Sequence, residues 1–116
     1  MDIEMTYYLA ELYSPKSTWL SLNKVERGQF FEKVGAGMAP LLAMGIEPIA
    51  AGQTESNVEY PASQQFFAVW RAPDREAMDA LLSAITATGW HDYFETVNAT
   101  GIGGDLVSHL SQLAAA

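Results

Sequence analysis

The sequence predicts an α+β fold with elements in the order β-α-β-β-α-β, followed by one extra C-terminal helix. Three observations predict it. The runs MTYYLAELY, IEPIAAGQ and QFFAVWRA have strand length and composition, and each is bounded by proline or polar residues. Two longer segments repeat apolar residues every three or four positions, as one face of a helix does. With 116 residues, of which 49 % are hydrophobic, the chain is long enough for one domain, 1–116, with a core of its own.

The first strand covers residues 5–13 and is stopped by Ser14-Pro15. Both of its alternating sets are apolar, Tyr7 and Leu9 on one side and Tyr8, Ala10 and Leu12 on the other. A strand apolar on both faces belongs to a sheet covered on both faces. The first long helix starts near Asn23, because Asn23 and Glu26 form a capping-box pattern. Its expected buried face is Phe31, Val34, Met38, Leu41 and Leu42, with a kink between Ala36 and Pro40 and a stop at Gly45. The strands 46–53 and 65–72 flank the polar loop TESNVEYPAS.

Asp74 caps the next helix, whose stripe is Met78, Leu81, Leu82 and Ile85 and whose end is Gly89. His91–Asn98 is assigned as the fourth strand, with continuation of the helix as the alternative. Gly101-Ile-Gly-Gly104 breaks the chain, and Asp105 caps a last helix with the face Leu106, Leu110 and Leu113. This order is the ferredoxin-like arrangement, with sheet order 4-1-3-2 and helices on one face. Two helices cannot cover both faces, so the sequence predicts that a second copy covers the other: a homodimer.

Six basic residues against fourteen acidic ones give a net charge of −8. That opposes nucleic-acid binding and docking on anionic membranes, both of which require a basic footprint. There is no cysteine, so no disulfide framework. The acidic first residues do not read as a signal peptide, and the expectation is a soluble cytoplasmic protein of bacterial type. Two isolated histidines without a ligand spacing predict no metal site, and no cofactor is expected. Gly35-Ala-Gly37 lies inside a helical pattern and lacks the dinucleotide-binding context.

Chemistry concentrates in GWHDYFETVNATG, residues 89–101. Pairing the fourth strand with the first places His91 and Tyr93 beside Tyr13 and Glu11, with Phe66 and Trp70 on the same face. A carboxylate beside an imidazole among aromatic rings is an acid–base arrangement. The candidate catalytic residues are therefore Glu11 and His91, and the candidate substrate-binding residues are Tyr13, Phe66, Trp70 and Tyr93. A cross-strand ion pair is expected between Glu47 and Arg71.

The segments FFEKVGAGMAPLLAMGIEPI, FFAVWRAPDREAMDALL and GWHDYFETVNATG resemble an uncharacterised bacterial family of the dimeric α/β-barrel superfamily. That superfamily includes cofactor-free antibiotic-biosynthesis monooxygenases, muconolactone-isomerase-like and YCII-like proteins, and haem-degrading enzymes. The resemblance implies a dimer with facing sheets and a pocket between sheet and helices. It supplies no matching haem ligand, because residues 74–88 hold no histidine. Two functional readings stand at this level. One is a small-molecule enzyme of cofactor-independent monooxygenase or isomerase type, acting on an apolar or aromatic ligand. The other is a non-catalytic dimeric binding or interaction module.

Overall fold

The computed structural model describes residues 6–116. Strand β1 runs Tyr7–Pro15, and Met5, expected at its start, lies outside the described residues. Proline does not stop the strand at residue 13: Pro15 still pairs with Phe94 at the sheet's end, where a missing N–H breaks no interior ladder. Strands β2 (Glu47–Gln53), β3 (Phe66–Ala72) and β4 (Phe94–Ile102) complete an antiparallel sheet of order β2-β3-β1-β4. This is the ferredoxin-like order predicted. Glu47 pairs with Arg71 as expected, the Arg71 Nε–H donating to the Glu47 carboxylate at 2.8 Å.

The helices are α1 (Ser17–Leu20), α2 (Lys24–Ala43), α3 (Arg75–Ala87), α4 (Trp90–Tyr93) and α5 (Leu106–Ala115). Asn23 and Glu26 form the capping box of α2, and Asp74 and Asp105 accept from the backbone of Ala77 and Ser108 at the starts of α3 and α5. Helix α2 continues through Pro40 to Ala43. Its inward face shares Val34, Met38 and Leu41 with the expectation, but takes Phe30 in place of Phe31 and leaves Leu42 out. Phe30 and Leu41 are buried and Val34 and Met38 half-buried, while Phe31 and Leu42 stay about half exposed. Phe30 and Phe31 are adjacent, as are Leu41 and Leu42, and spacing alone does not say which of each pair turns inward.

Two buried clusters sit between sheet and helices. The first joins Leu9, Ile46 and Ala72 to Leu41, Ala77, Met78 and Leu81. The second joins Trp19, Phe30 and Phe94, with Tyr13, Val34, Trp90 and Tyr93 against them. Helix α1 was not expected. A four-residue helix has no stability of its own. Here Trp19 anchors it in the second cluster, while Lys16 Nζ and Thr18 Oγ1 donate to the carbonyls of His91 and Asp92 at 2.7 and 2.6 Å.

The assignment of His91–Asn98 as a strand is corrected by the same region. Gly89 has φ +86, a left-handed turn that favours glycine, and the chain then makes the single helical turn α4 before β4 begins at Phe94. Trp90 is held by stacking on Phe94 with centroids 4.2 Å apart. Consequently Asn98 pairs with Glu11 and Thr96 with Tyr13, and His91 and Tyr93 are not in the sheet.

The second face of the sheet carries Tyr8, Ala10, Leu12, Phe67, Val69, Val97 and Ala99, and no helix of the described residues packs flat on it. Gly103 crosses Tyr8 so closely that an added Cβ would lie 2.3 Å from the ring. From there α5 rises over the sheet. Its Leu106, Val107, Leu110 and Leu113 are all more than half exposed. The radius of gyration is 16.1 Å, against about 13 Å for a compact chain of this length. The accessible surface is 7850 Å², about a quarter above the roughly 6,200 Å² expected for a compact monomer of this mass.

Candidate functional site

Along the helix-facing side of β1 the side chains run Leu9, Glu11, Tyr13. Leu9 belongs to the first cluster and Tyr13 packs on the second, so Glu11 falls at the seam between them. Its sheet neighbours are Ala68 and Asn98, both short, which leaves the carboxyl the room of that seam. Glu11 is 4 % exposed, the one buried charged residue among those described. Its Oε1 accepts from the Trp70 indole N–H at 2.8 Å. Its Oε2 is buried and has no hydrogen-bond partner among the described residues.

An unpaired buried carboxylate is costly, so the group favours its protonated form. Burial raises the Glu11 pKa above the ordinary carboxylate value, and the Trp70 hydrogen bond only partly opposes this. Burial also raises the Tyr13 hydroxyl, and the Glu11 charge adds to the effect. Two residues apart on one strand face, these two groups both hold their protons to higher pH than their ordinary counterparts do.

Tyr13 also lines a cleft of about 600 Å³, within the size range of small-molecule sites. Its walls are Tyr13, Trp19, Phe31, Phe66, Trp90 and Phe94, with Arg27 and Gln65 as polar members. The rings meet edge to face or tilted: Tyr13 lies 5.2 Å from Trp90 at 79°, and Trp19 lies 4.9 Å from Phe94 at 44°. A larger groove of about 1,050 Å³ lies between the second sheet face and α5. Its one carboxylate, Asp105, is occupied in capping α5. Glu11 points to the opposite side of the sheet. The smaller cleft lies on the Glu11 side of the sheet; Glu11 is not among its walls, and Tyr13, two residues along the same strand face, joins the two.

Of the residues singled out from sequence, Glu11, Tyr13 and Phe66 gather at this end of the helix-facing side. Trp70 serves Glu11 directly and otherwise packs on the first cluster. Tyr93 packs on Trp19 and Phe30 at 5.5 and 5.0 Å. His91 is exposed on α4 and is not placed beside Glu11. Sequence reasoning missed Trp19, Arg27, Phe31, Trp90 and Phe94 as cleft walls. The signal available for Trp90 and Phe94 was the aromatic spacing of four around Gly89-bounded GWHDYF, which fits a helical turn better than a strand.

The profile of DUF6616, a family of unknown function, matches residues 6–116, and the chain belongs to that family. No curated protein matches it. Among solved structures, one described as "Putative Chlorite dismutase TA0507" has a TM-score of 0.62 at 19 % identity, over 88 % of this chain and 45 % of that one. The chain thus spans less than half the length of that protein. RPA0582, a protein of unknown function from Rhodopseudomonas palustris, has a TM-score of 0.58 at 11 % identity, over 88 % and 85 % of the two chains. At such identities the likeness shows the ferredoxin-like fold alone.

Proposed function

We propose that this family member binds a small aromatic ligand in the Tyr13–Trp19–Trp90 cleft and uses Glu11 for proton transfer, chemistry of the cofactor-independent isomerase or monooxygenase kind. The observation that carries this reading is the buried Glu11 Oε2 without a partner. A buried unsatisfied polar atom costs about 1–3 kcal/mol, and such costs concentrate at functional sites. Tyr13 is the link. It forms a cleft wall and is the next side chain on the same strand face. In this reading its hydroxyl positions the ligand, and Glu11 takes or returns the proton.

A histidine-ligated haem, known elsewhere in the superfamily, does not fit these residues. His91 and His109 are both exposed and neither lines the cleft.

Glu11 can be tested through stability. With its folded pKa raised, the native state keeps a proton that the unfolded chain releases. Its contribution is therefore most favourable below the ordinary value of 4.5, and stability is lost as pH rises from there through the folded value. Glu11→Gln should remove this loss, so the variant gains on the wild type as pH rises from 4 to 8 in urea titrations. A carbon-13 titration of the Glu11 carboxyl should then move when 2-naphthol is added. Parallel stability curves, with a carboxyl titrating near 4.5 and indifferent to the probe, would overturn the role given to Glu11.

The same reading includes a homodimer. It is supported by the apolar second face of the sheet, the exposed stripe of α5, and the excess surface, about twice the roughly 800 Å² that one partner buries in a standard interface.

A further inference from the structure

Every polar group that the cleft's own walls offer is a donor or can act as one. The lining holds one guanidinium (Arg27), one carboxamide (Gln65), one phenol (Tyr13) and the indoles of Trp19 and Trp90, and it holds no carboxylate. In a chain of net charge −8 with only six basic residues, a wall set of six aromatic side chains and one cation is selective. Arg27 stands on the first turn of α2, with its guanidinium carbon 5.4 Å from the centre of the Trp19 ring. Its Nη2 reaches the carbonyls of Trp19 and Leu20 at 3.3 Å each, long contacts that fix the fork against α1. Its Nε is buried and has no partner among the described residues, and the same holds for the indole nitrogen of Trp90. No carboxylate of the described residues is bonded to this guanidinium, whereas Arg71 and Arg75 each have one.

We infer that the cleft takes an aromatic carboxylate, its ring among Tyr13, Trp19, Phe66 and Trp90 and its carboxylate on Arg27. An arginine fork matches a carboxylate with two parallel hydrogen bonds. Stacked on Trp19, it is already ordered before the ligand arrives, which lowers the entropy lost on binding. A neutral aromatic ligand would leave these donors unsatisfied. The inference rests on the reading of the cleft as the ligand site, and it adds the charge class and the anchoring residue.

The test is titration of tryptophan fluorescence with 2-naphthoate and with its neutral isostere 2-naphthamide. Wild-type protein should bind naphthoate about ten- to a hundredfold more tightly, the ratio expected for a charge-assisted pair of hydrogen bonds. Arg27→Gln should abolish this preference while naphthamide affinity stays within about twofold. Arg27→Lys keeps the charge but not the fork, and should retain only part of the preference. If Arg27→Gln loosens α1, seen as lost naphthamide binding, the lysine variant decides in its place. Equal wild-type affinity for the two probes would overturn the charge class and leave the cleft reading standing. Binding of neither probe would overturn both. A preference unchanged in Arg27→Gln and Arg27→Lys would overturn Arg27 as the anchor.

Discussion

Trp19→Ala is expected to destabilise the protein by about 3–5 kcal/mol, the cost of emptying a buried large aromatic site. A domain of this kind is stable by only about 5–15 kcal/mol, so the variant should lie close to its unfolding threshold. Trp19 is 7 % exposed. Its ring lies between 4.9 and 5.6 Å from those of Phe94, Phe31, Tyr93 and Phe30. No other side chain carries α1 into the core, because α1 has no other buried residue. Losing the ring therefore frees α1, and with it the carbonyls that hold Arg27 and the wall that Trp19 gives the cleft. Urea denaturation should show the loss, and 2-naphthol should no longer be bound by the fraction that stays folded. Leu20→Ala is the control: Leu20 is its neighbour but 61 % exposed, and its change should stay within about 0.5 kcal/mol. A Trp19→Ala cost below about 1 kcal/mol would mean that α1 is not anchored through this ring.

This fragile anchor also explains where the sequence was legible and where it was not. Elements set by strong local signals were read correctly: the Asn23–Glu26 box, the Asp74 and Asp105 caps, the Met78–Leu81 stripe, and the strand runs whose pairing follows from their order. Each of those signals acts within a few residues. Helix α1 has no such signal. STWL becomes helical because Trp19 finds a pocket made by residues 30 and 94, and because Lys16 and Thr18 find carbonyls at 91 and 92. All but the contact with residue 30 reach across more than seventy positions, which no window of sequence contains. The β4 register failed for a related reason. Alternation in HDYFETVN fits a strand, but the left-handed Gly89 and the Trp90–Phe94 stack spend four residues on a helical turn first. Every later residue moves with that delay, so Asn98 and not Tyr93 meets Glu11. The seam around Glu11 was partly legible, since a glutamate in an apolar strand stands out. The cleft was not, because its walls come from six separate elements.

If the homodimer proposed above forms through α5, Leu110→Asp combined with Leu113→Asp is expected to leave a monomer with its fold intact. Helix α5 is amphipathic, but its orientation is the reverse of an ordinary surface helix. Ser108 and Gln112, on its polar side, line the groove over its own sheet. Leu106, Leu110 and Leu113 lie on the other side and are 69 %, 53 % and 58 % exposed. A stripe turned away from its own chain gains nothing from folding. Leaving it in water would cost about 25 cal/mol for each Å² of apolar surface, and the apolar second face of the sheet faces the same problem. A two-fold axis through that face solves both at once, because each copy then offers the other a sheet face and a helix stripe. Light scattering on eluted wild-type protein should therefore give about twice the 12.6 kDa chain mass. The double variant would bury two unpaired carboxylates per chain, at about 3 kcal/mol or more each, a weakening of more than about ten-thousandfold. It should elute as a single chain with unchanged circular dichroism. Val25→Asp, at a position 68 % exposed on α2, should leave the mass at that of the dimer. A wild-type mass of one chain at 100 μM, or a double variant still dimeric, would mean that the stripe of α5 does not meet a second copy.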